Sequence, residues 1–351
     1  MRDDDLPEPR NAGEPPKPGD AGEPPKPGDA GEPPKPGSSE EPLLRVENLR
    51  AYFHTDRGTV RAVDGVSFDV GRAETVCLVG ESGSGKTVAG ESITRLVREP
   101  PGEIVGGSIQ FEGVDLLSLS MSELRAVRGD RIAHVFQNPQ GSLNPVYTVG
   151  WQLIESVRLH DDVSRAEARA RAVDLLDRVG IPNPTGRVDD YPHELSGGQQ
   201  QRVAIAMALA GDPDLLIADE PTTALDVTIQ SQVLGLLEDV QSAFGLAILL
   251  VTHDLGVVAE VADRVVVLRD GEVAERGDVF QIFERPSHPY TRRLLDSIPG
   301  GPGATGPGDD SDGPSESGGS RSAVDDDAGS VVDSGPVNAA DADLDERGDD
   351  R

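Results

Sequence analysis

Cysteine occurs once in 351 residues, at Cys77, which excludes an internal disulfide and any metal cluster built on several thiolates. Cys77 lies in the apolar run TVCLVG and reads as a small core hydrophobe. No run of about 18 apolar residues occurs, so no segment is expected to span a bilayer. The first residues lack the apolar stretch of a secretory signal. A soluble chain is expected, with any membrane link supplied by a partner. Positive charge is scarce: 63 acidic residues face 32 basic ones, for a net charge of −31. The deficit is not confined to the ends, because the stretch 44–299 keeps 38 acidic and 24 basic residues. Such a surface repels phosphate backbones and argues against nucleic-acid binding. Lysine is the scarcest cation, with four residues against 28 arginines. An acid-rich, lysine-poor chain fits a high-salt cytoplasm, where screening removes most self-repulsion.

Three of the four lysines, Lys17, Lys26 and Lys35, sit in a nine-residue repeat, AGEPPKPGD. Its proline pairs favour extended polyproline II without a buried face, so residues 1–41 are expected to stay disordered. Residues 300–351 are Gly, Ser, Asp and Ala with few large apolar groups, and a second disordered segment is expected there. The foldable part is 42–299. It alternates strand and helix signals: LLRVENLRAYF, GVSFDV, TVCLVG, SIQFEG and RIAHVFQ read as strands. DLLIAD and LAILLVTHD are continuous apolar runs, as in strands buried on both faces of a sheet. DRVVVLRDGEVAERG reads as a hairpin turning at Asp270-Gly271. Helices fill the intervals, one of them over about 86–97, so the class is α/β with a parallel core. The stretch 148–181 is helical, with a capping box at Ser164 and Glu167 and a stop at Gly180. Residues 141–195 are read as a helical insertion.

The fourth lysine, Lys86, stands in GESGSGKT, residues 80–87, between a strand and a helix. Gly80, four residues, Gly85, Lys86 and Thr87 match the phosphate-loop pattern, in which successive backbone amides turn toward one anion. The helix behind adds its positive N-terminus. A compact ammonium fits inside such a loop where a planar guanidinium does not. Lys86 is expected to reach the β- and γ-phosphates and Thr87 to ligate Mg²⁺. DLLIADE ends a second strand in Asp219, expected to hold Mg²⁺, and Glu220, expected to orient or deprotonate the attacking water. LSGGQQQR supplies another phosphate-binding helix start, capped by Ser196. Two such ends suit a head-to-tail dimer that clamps one nucleotide between one subunit's loop and the other's helix.

Together these motifs resemble the ATP-binding subunit of an ABC transporter over about residues 43–299. The resemblance implies a P-loop NTPase (RecA-like) core with a parallel sheet, an antiparallel β subdomain and a helical signature subdomain. It implies ATP contacts along Gly80, Glu81, Ser82, Gly83, Ser84, Gly85, Lys86, Thr87 and Val88, with Phe53 stacking on adenine and Tyr52 as the fallback. It makes Glu220, His253, Lys86 and Gln137 catalytic, and Thr87, Gln137 and Asp219 the metal site. Ser196, Gly197, Gly198 and Gln199 would act in trans, and Asp226 would face the dimer. FQNPQGSLNPVYTVG, DEPTTALDVTIQ and HPYTRRLLDSIP are similar to importers of oligopeptides, dipeptides and nickel, with a C-terminal extension at about 277–299. Some of these relatives carry a cysteine cluster near that end; this chain has none, so no iron–sulfur site is implied. The implied partners are permease subunits, a second ATPase subunit, identical or paralogous, and indirectly a solute-binding protein. The implied location is the cytoplasmic face of the cell membrane. The competing expectation is a soluble ABC-type ATPase of translation or DNA repair, which usually needs a fused second cassette or a long coiled coil.

Overall fold

The computed structural model describes residues 41–137, 139–223 and 225–297. The expectations for the N-terminal repeats and for 300–351 fall outside the described residues. Strands β1 (Leu44–Thr55) and β2 (Gly58–Val70) form an antiparallel pair. Strand β3 (Thr75–Val79) leads into helix α1 (Lys86–Ile93). Strands β4 (Gly102–Phe111) and β5 (Val114–Asp115) complete an antiparallel sheet in the order β2-β1-β4-β5. Helix α2 (Met121–Val127) precedes β6 (Ile132–Val135). Five helices follow: α3 (Pro139–Ser142), α4 (Val149–His160), α5 (Arg165–Arg178), α6 (Pro184–Arg187) and α7 (Gly197–Ala208). The chain then alternates through β7 (Leu215–Asp219), α8 (Val227–Phe244), β8 (Ala247–Thr252), α9 (Leu255–Val261), β9 (Arg264–Arg269) and β10 (Glu272–Asp278). Helices α10 (Val279–Glu284) and α11 (Pro289–Asp296) close the described chain.

The second sheet runs β10-β9-β3-β8-β7-β6, parallel except for the β9–β10 hairpin. Its central strands β3, β7 and β8 are almost wholly buried because both faces are covered, whereas the edge strand β10 is largely polar. Side chains alternate across β3: Val76 and Leu78 join a core shared with the antiparallel sheet and α1, whereas Cys77 and Val79 join the core under the helices. Burial pushes the Cys77 thiol up, consistent with an inert core position. The hairpin turns where Asp270 and Gly271 take φ of 50° and 83°, the pair of positive values that a tight right-twisted turn requires. Ser164 and Glu167 form the capping box of α5, and Gly180 turns the chain away at φ 69°.

Helix α1 is shorter than the expected 86–97. It stops at Ile93, and Arg95 takes φ 53°. The guanidinium of Arg128 donates to the carbonyls of Thr94 and Arg95, both at 2.8 Å, and so caps the helix end from a distant segment. Val97 stays buried beyond the break, which is why the apolar pattern runs on.

Candidate functional site

Four neighbouring parallel strands aim their C-terminal ends at one place, where ligands of open α/β sheets bind. Strand β3 delivers the loop from Gly80, β8 delivers His253, β7 delivers Asp219 and Glu220, and β6 delivers Gln137. The ladder fixes their alignment: Val79 pairs with Thr252, Asp219 with Val251, and Val135 with Ala218.

The phosphate loop is held tightly from outside. A Cβ on Gly80 would lie 2.2 Å from the Leu268 carbonyl oxygen, and one on Gly85 would lie 2.1 Å from that of Ala62. Ala62 is skipped in the ladder, because Ala51 pairs with Val63 and Tyr52 with Arg61. That bulge brings the Ala62 carbonyl over the loop. Gly85 sits at φ 98° and opens α1, whose first residue is Lys86. Lys86 is 5% exposed, and its ammonium donates to the Gly80 and Glu81 carbonyls at 2.8 and 2.9 Å. Burial lowers its pKa, against the raising influence of Glu220 and Asp219. Within this loop Ser84 keeps a buried hydroxyl with no partner among the described residues. Ser82, Gly83 and Thr87 are exposed, and Val88 is half-buried.

The Thr87 hydroxyl donates to Asp219 Oδ1 at 3.2 Å. Burial raises the Asp219 carboxyl, the Thr87 hydrogen bond lowers it, and the Glu220 charge raises it again, for a net rise. Two oxygens at this spacing fit adjacent corners of a Mg²⁺ octahedron with bonds of about 2.1 Å, whose neighbouring oxygens lie about 3 Å apart. Among the described residues no group of three His, Cys, Asp or Glu side chains forms a metal cage. A cation here would therefore draw its remaining ligands from outside that set, from the Gln137 amide, phosphate and water, as Mg²⁺ commonly does.

Glu220 gathers three partners. Gln137 Nε2 donates to its Oε2 at 2.6 Å, the Thr223 hydroxyl donates to the same oxygen at 2.8 Å, and His253 Nδ1 lies 2.9 Å from Oε1. Burial alone raises this carboxyl, but hydrogen bonds from His253, Thr223 and Gln137 outweigh it and the net direction is down. A carboxylate kept ionised and aimed by three hydrogen bonds can accept a proton from water. Glu220 takes φ 46°, a left-handed conformation uncommon for its type, pinned by its amide donating to the Val251 carbonyl at 2.8 Å. Thr223 was not singled out in the sequence, although it lies within the TTALD stretch.

The remaining expected residues lie elsewhere on the chain. Ser196 caps α7 in a box with Gln199: the Gln199 amide donates to Ser196 Oγ at 3.3 Å and the Ser196 amide to Gln199 Oε1 at 3.0 Å. A Cβ on Gly197 would meet nothing within 4 Å, whereas one on Gly198 would lie 2.5 Å from Ile229 Cγ2. Asp226 caps α8 by accepting from the Ile229 amide at 2.9 Å. The Tyr52 hydroxyl donates a hydrogen bond to Asp64 Oδ1 at 2.8 Å, with Arg61 over its ring. Phe53 is half-buried and lies across the ladder from Val60 and Gly102.

Residues 63–223 match the family model for ABC transporter. A Bacillus subtilis oligopeptide transport ATP-binding protein is 52% identical over 257 residues, 73% of this chain and 72% of that protein. The chain belongs to the ABC transporter ATP-binding family. A peptide import ATP-binding protein of Brucella abortus is 51% identical over 258 residues, 74% of this chain and 77% of that protein. Among solved structures, a dimeric ATP-binding cassette in a post-hydrolysis state with ADP and phosphate matches with a TM-score of 0.60 and 29% identity. That match covers 68% of this chain and 99% of the other. The fold is that of the ABC ATPases, and the activity of the family is ATP hydrolysis. Among the described residues no helix is long and apolar enough to cross a membrane.

Proposed function

We propose that this chain hydrolyses ATP to drive peptide import through a membrane permease. The observation that carries the chemistry is the triple hydrogen bonding of Glu220 beside the phosphate loop. The relatives named for oligopeptide transport and peptide import support the cargo class. In this reading, residues Gly80 to Val88 bind the triphosphate, with Lys86 supplying the central positive charge, and Phe53 stacks on the base. The engagement of the Tyr52 hydroxyl by Asp64 favours Phe53 for that place. Thr87, Asp219 and Gln137 would hold Mg²⁺, which neutralises charge on the phosphates. Glu220 accepts a proton from the attacking water, and His253 keeps Glu220 in place and faces the γ-phosphate. Catalysis is positioning and charge neutralisation, the usual means of phosphoryl transfer.

The site closes when a second subunit, identical or paralogous, brings its own Ser196, Gly197, Gly198 and Gln199 or their equivalents. Space around Gly197 supports this, and Asp226 caps α8, whose Ile229 packs on Gly198. ATP-bound closure and post-hydrolysis opening then drive the permease by binding one state better than the other. The helical stretch 141–195 and the Gln137 region would dock that permease on the cytoplasmic face of the membrane. A groove of about 690 Å³, lined by Leu96, Phe136, Leu159 and Met207 among others, supports the docking site. A solute-binding protein would act only through the permease. The acidic, lysine-poor composition supports a high-salt cytoplasm. The test is reconstitution with the permease subunits: peptide delivered by the binding protein should raise ATP hydrolysis several-fold. A rate indifferent to permease and peptide would refute the transport role.

A further inference from the structure

The C-terminal segment reaches the phosphate loop. The Glu81 amide donates to the Tyr290 hydroxyl at 3.1 Å, between residues 209 apart in the chain. The other side of that peptide plane is fixed too, because the Gly80 carbonyl, which shares the plane with the Glu81 amide, accepts from the Lys86 ammonium at 2.8 Å. The next carbonyl, that of Glu81, accepts from the Lys86 ammonium at 2.9 Å and from the Ser84 amide at 3.2 Å. Glu81 is thus the pivot between the loop's own lysine and a residue of α11.

Tyr290 is rigidly supported. It is 4% exposed, with the guanidinium carbons of Arg269 and Arg293 at 5.3 and 6.0 Å from its ring centre. Its own amide donates to His288 Nδ1 at 3.2 Å. His288 is tied down in turn, because Glu275 accepts from the Ser287 amide and hydroxyl at 2.7 Å each and from the His288 amide at 3.0 Å. The Glu275 carboxylate therefore anchors the turn that presents the phenol. Arg269 follows Leu268, whose carbonyl abuts Gly80, so ring and loop rest on the same strand end.

We propose that Tyr290 is a positioning residue for nucleotide binding. By holding the Glu81 amide outward, its hydroxyl keeps the Gly80 carbonyl of the same peptide plane on Lys86 and leaves the other loop amides free to face the phosphates. The C-terminal segment thereby sets the shape of the loop before nucleotide arrives. This rests on the reading of residues 80–88 as the nucleotide loop. Glu81 is exposed, so water can satisfy its amide when the phenol oxygen is removed, and the fold should survive.

The test is Tyr290→Phe in the full chain, which deletes one oxygen and keeps the ring between the arginines. The dissociation constant for MgATP should rise about fivefold, the size of one net hydrogen bond, while the rate at saturating ATP stays within about twofold. Without nucleotide, the Glu81 amide should exchange its hydrogen faster in the variant. The Ala89 amide, bonded within α1 to the Gly85 carbonyl at 2.8 Å, should not change. Ser287→Ala, which loosens the anchor, should weaken MgATP binding in the same direction but less. Native affinity with unchanged Glu81 exchange in Tyr290→Phe would overturn the proposal alone. A parallel fall in affinity, saturated rate and melting temperature would also overturn it, as general damage. Failure of the unaltered chain to bind MgATP would overturn the nucleotide reading, and this proposal with it.

Discussion

The two helix starts that suit phosphate are built in opposite ways. The loop before α1 is enclosed by its own chain: carbonyls of Ala62 and Leu268 press on Gly85 and Gly80, and Lys86 is buried. The start of α7 is capped and complete as a helix end, yet Ser196 and Gly197 are exposed and Gly197 has open space where a side chain would stand. The first is a finished cradle. The second is capped through Ser196 and Gln199 and leaves its outward face exposed. A glycine with open space around it among the described residues is most simply explained by a surface that approaches from outside.

Substitutions can break this contrast on either side. The largest effect should come from Glu220→Gln, which keeps the shape and removes the base. Hydrolysis should fall about 100- to 1000-fold while MgATP affinity changes by less than about threefold, with the closed dimer accumulating. Binding and hydrolysis assays side by side check this, and an unaltered hydrolysis rate would remove Glu220 from its role. Gly197→Asp should lower hydrolysis by about tenfold or more through charge repulsion at the dimer face, with the melting temperature moving by less than about 2 °C. Gly85→Ala should do the reverse of that split. It strains φ 98° and collides at 2.1 Å, so stability should fall by about 2 kcal/mol or more in calorimetry.

The smallest effect concerns Glu275, whose carboxyl is pulled down to about 2. Burial raises it, but the hydrogen bonds from the Ser287 and His288 amides and the Ser287 hydroxyl win. Because the folded pKa is depressed, this stabilisation is complete above the ordinary value of 4.5 and is lost as pH falls toward 2. Glu275→Gln should cost about 1–3 kcal/mol at neutral pH. The gap between variant and native melting points should shrink between those two pH values. A constant gap would contradict the account.

Strands β3, β7 and β8 were legible because both faces of the parallel sheet are buried, which leaves an uninterrupted apolar run. The hairpin was legible because Asp270-Gly271 announces its own turn. The helix end at Ile93 was not, since the residue that caps it, Arg128, comes from a segment far along the chain. The opening of β4 was hidden by its glycines, which carry no side-chain pattern to read. At the site, the spacing of Gly80, Gly85, Lys86 and Thr87 encodes one continuous piece of backbone and so could be read directly. The meeting of Gln137, Thr223 and His253 on Glu220 depends on the order of strands in the sheet. Tyr290 carried no local signal of its role, because hydrogen bonding to Glu81 is created only by folding.

The most direct test of the central claim is equilibrium binding of MgATP to the purified chain in molar salt, beside its Lys86→Ala variant. The enclosed loop predicts saturable binding at millimolar ATP or below for the native chain, and a loss of at least about 100-fold without the ammonium. No binding by the native chain, or equal binding by both, would contradict it.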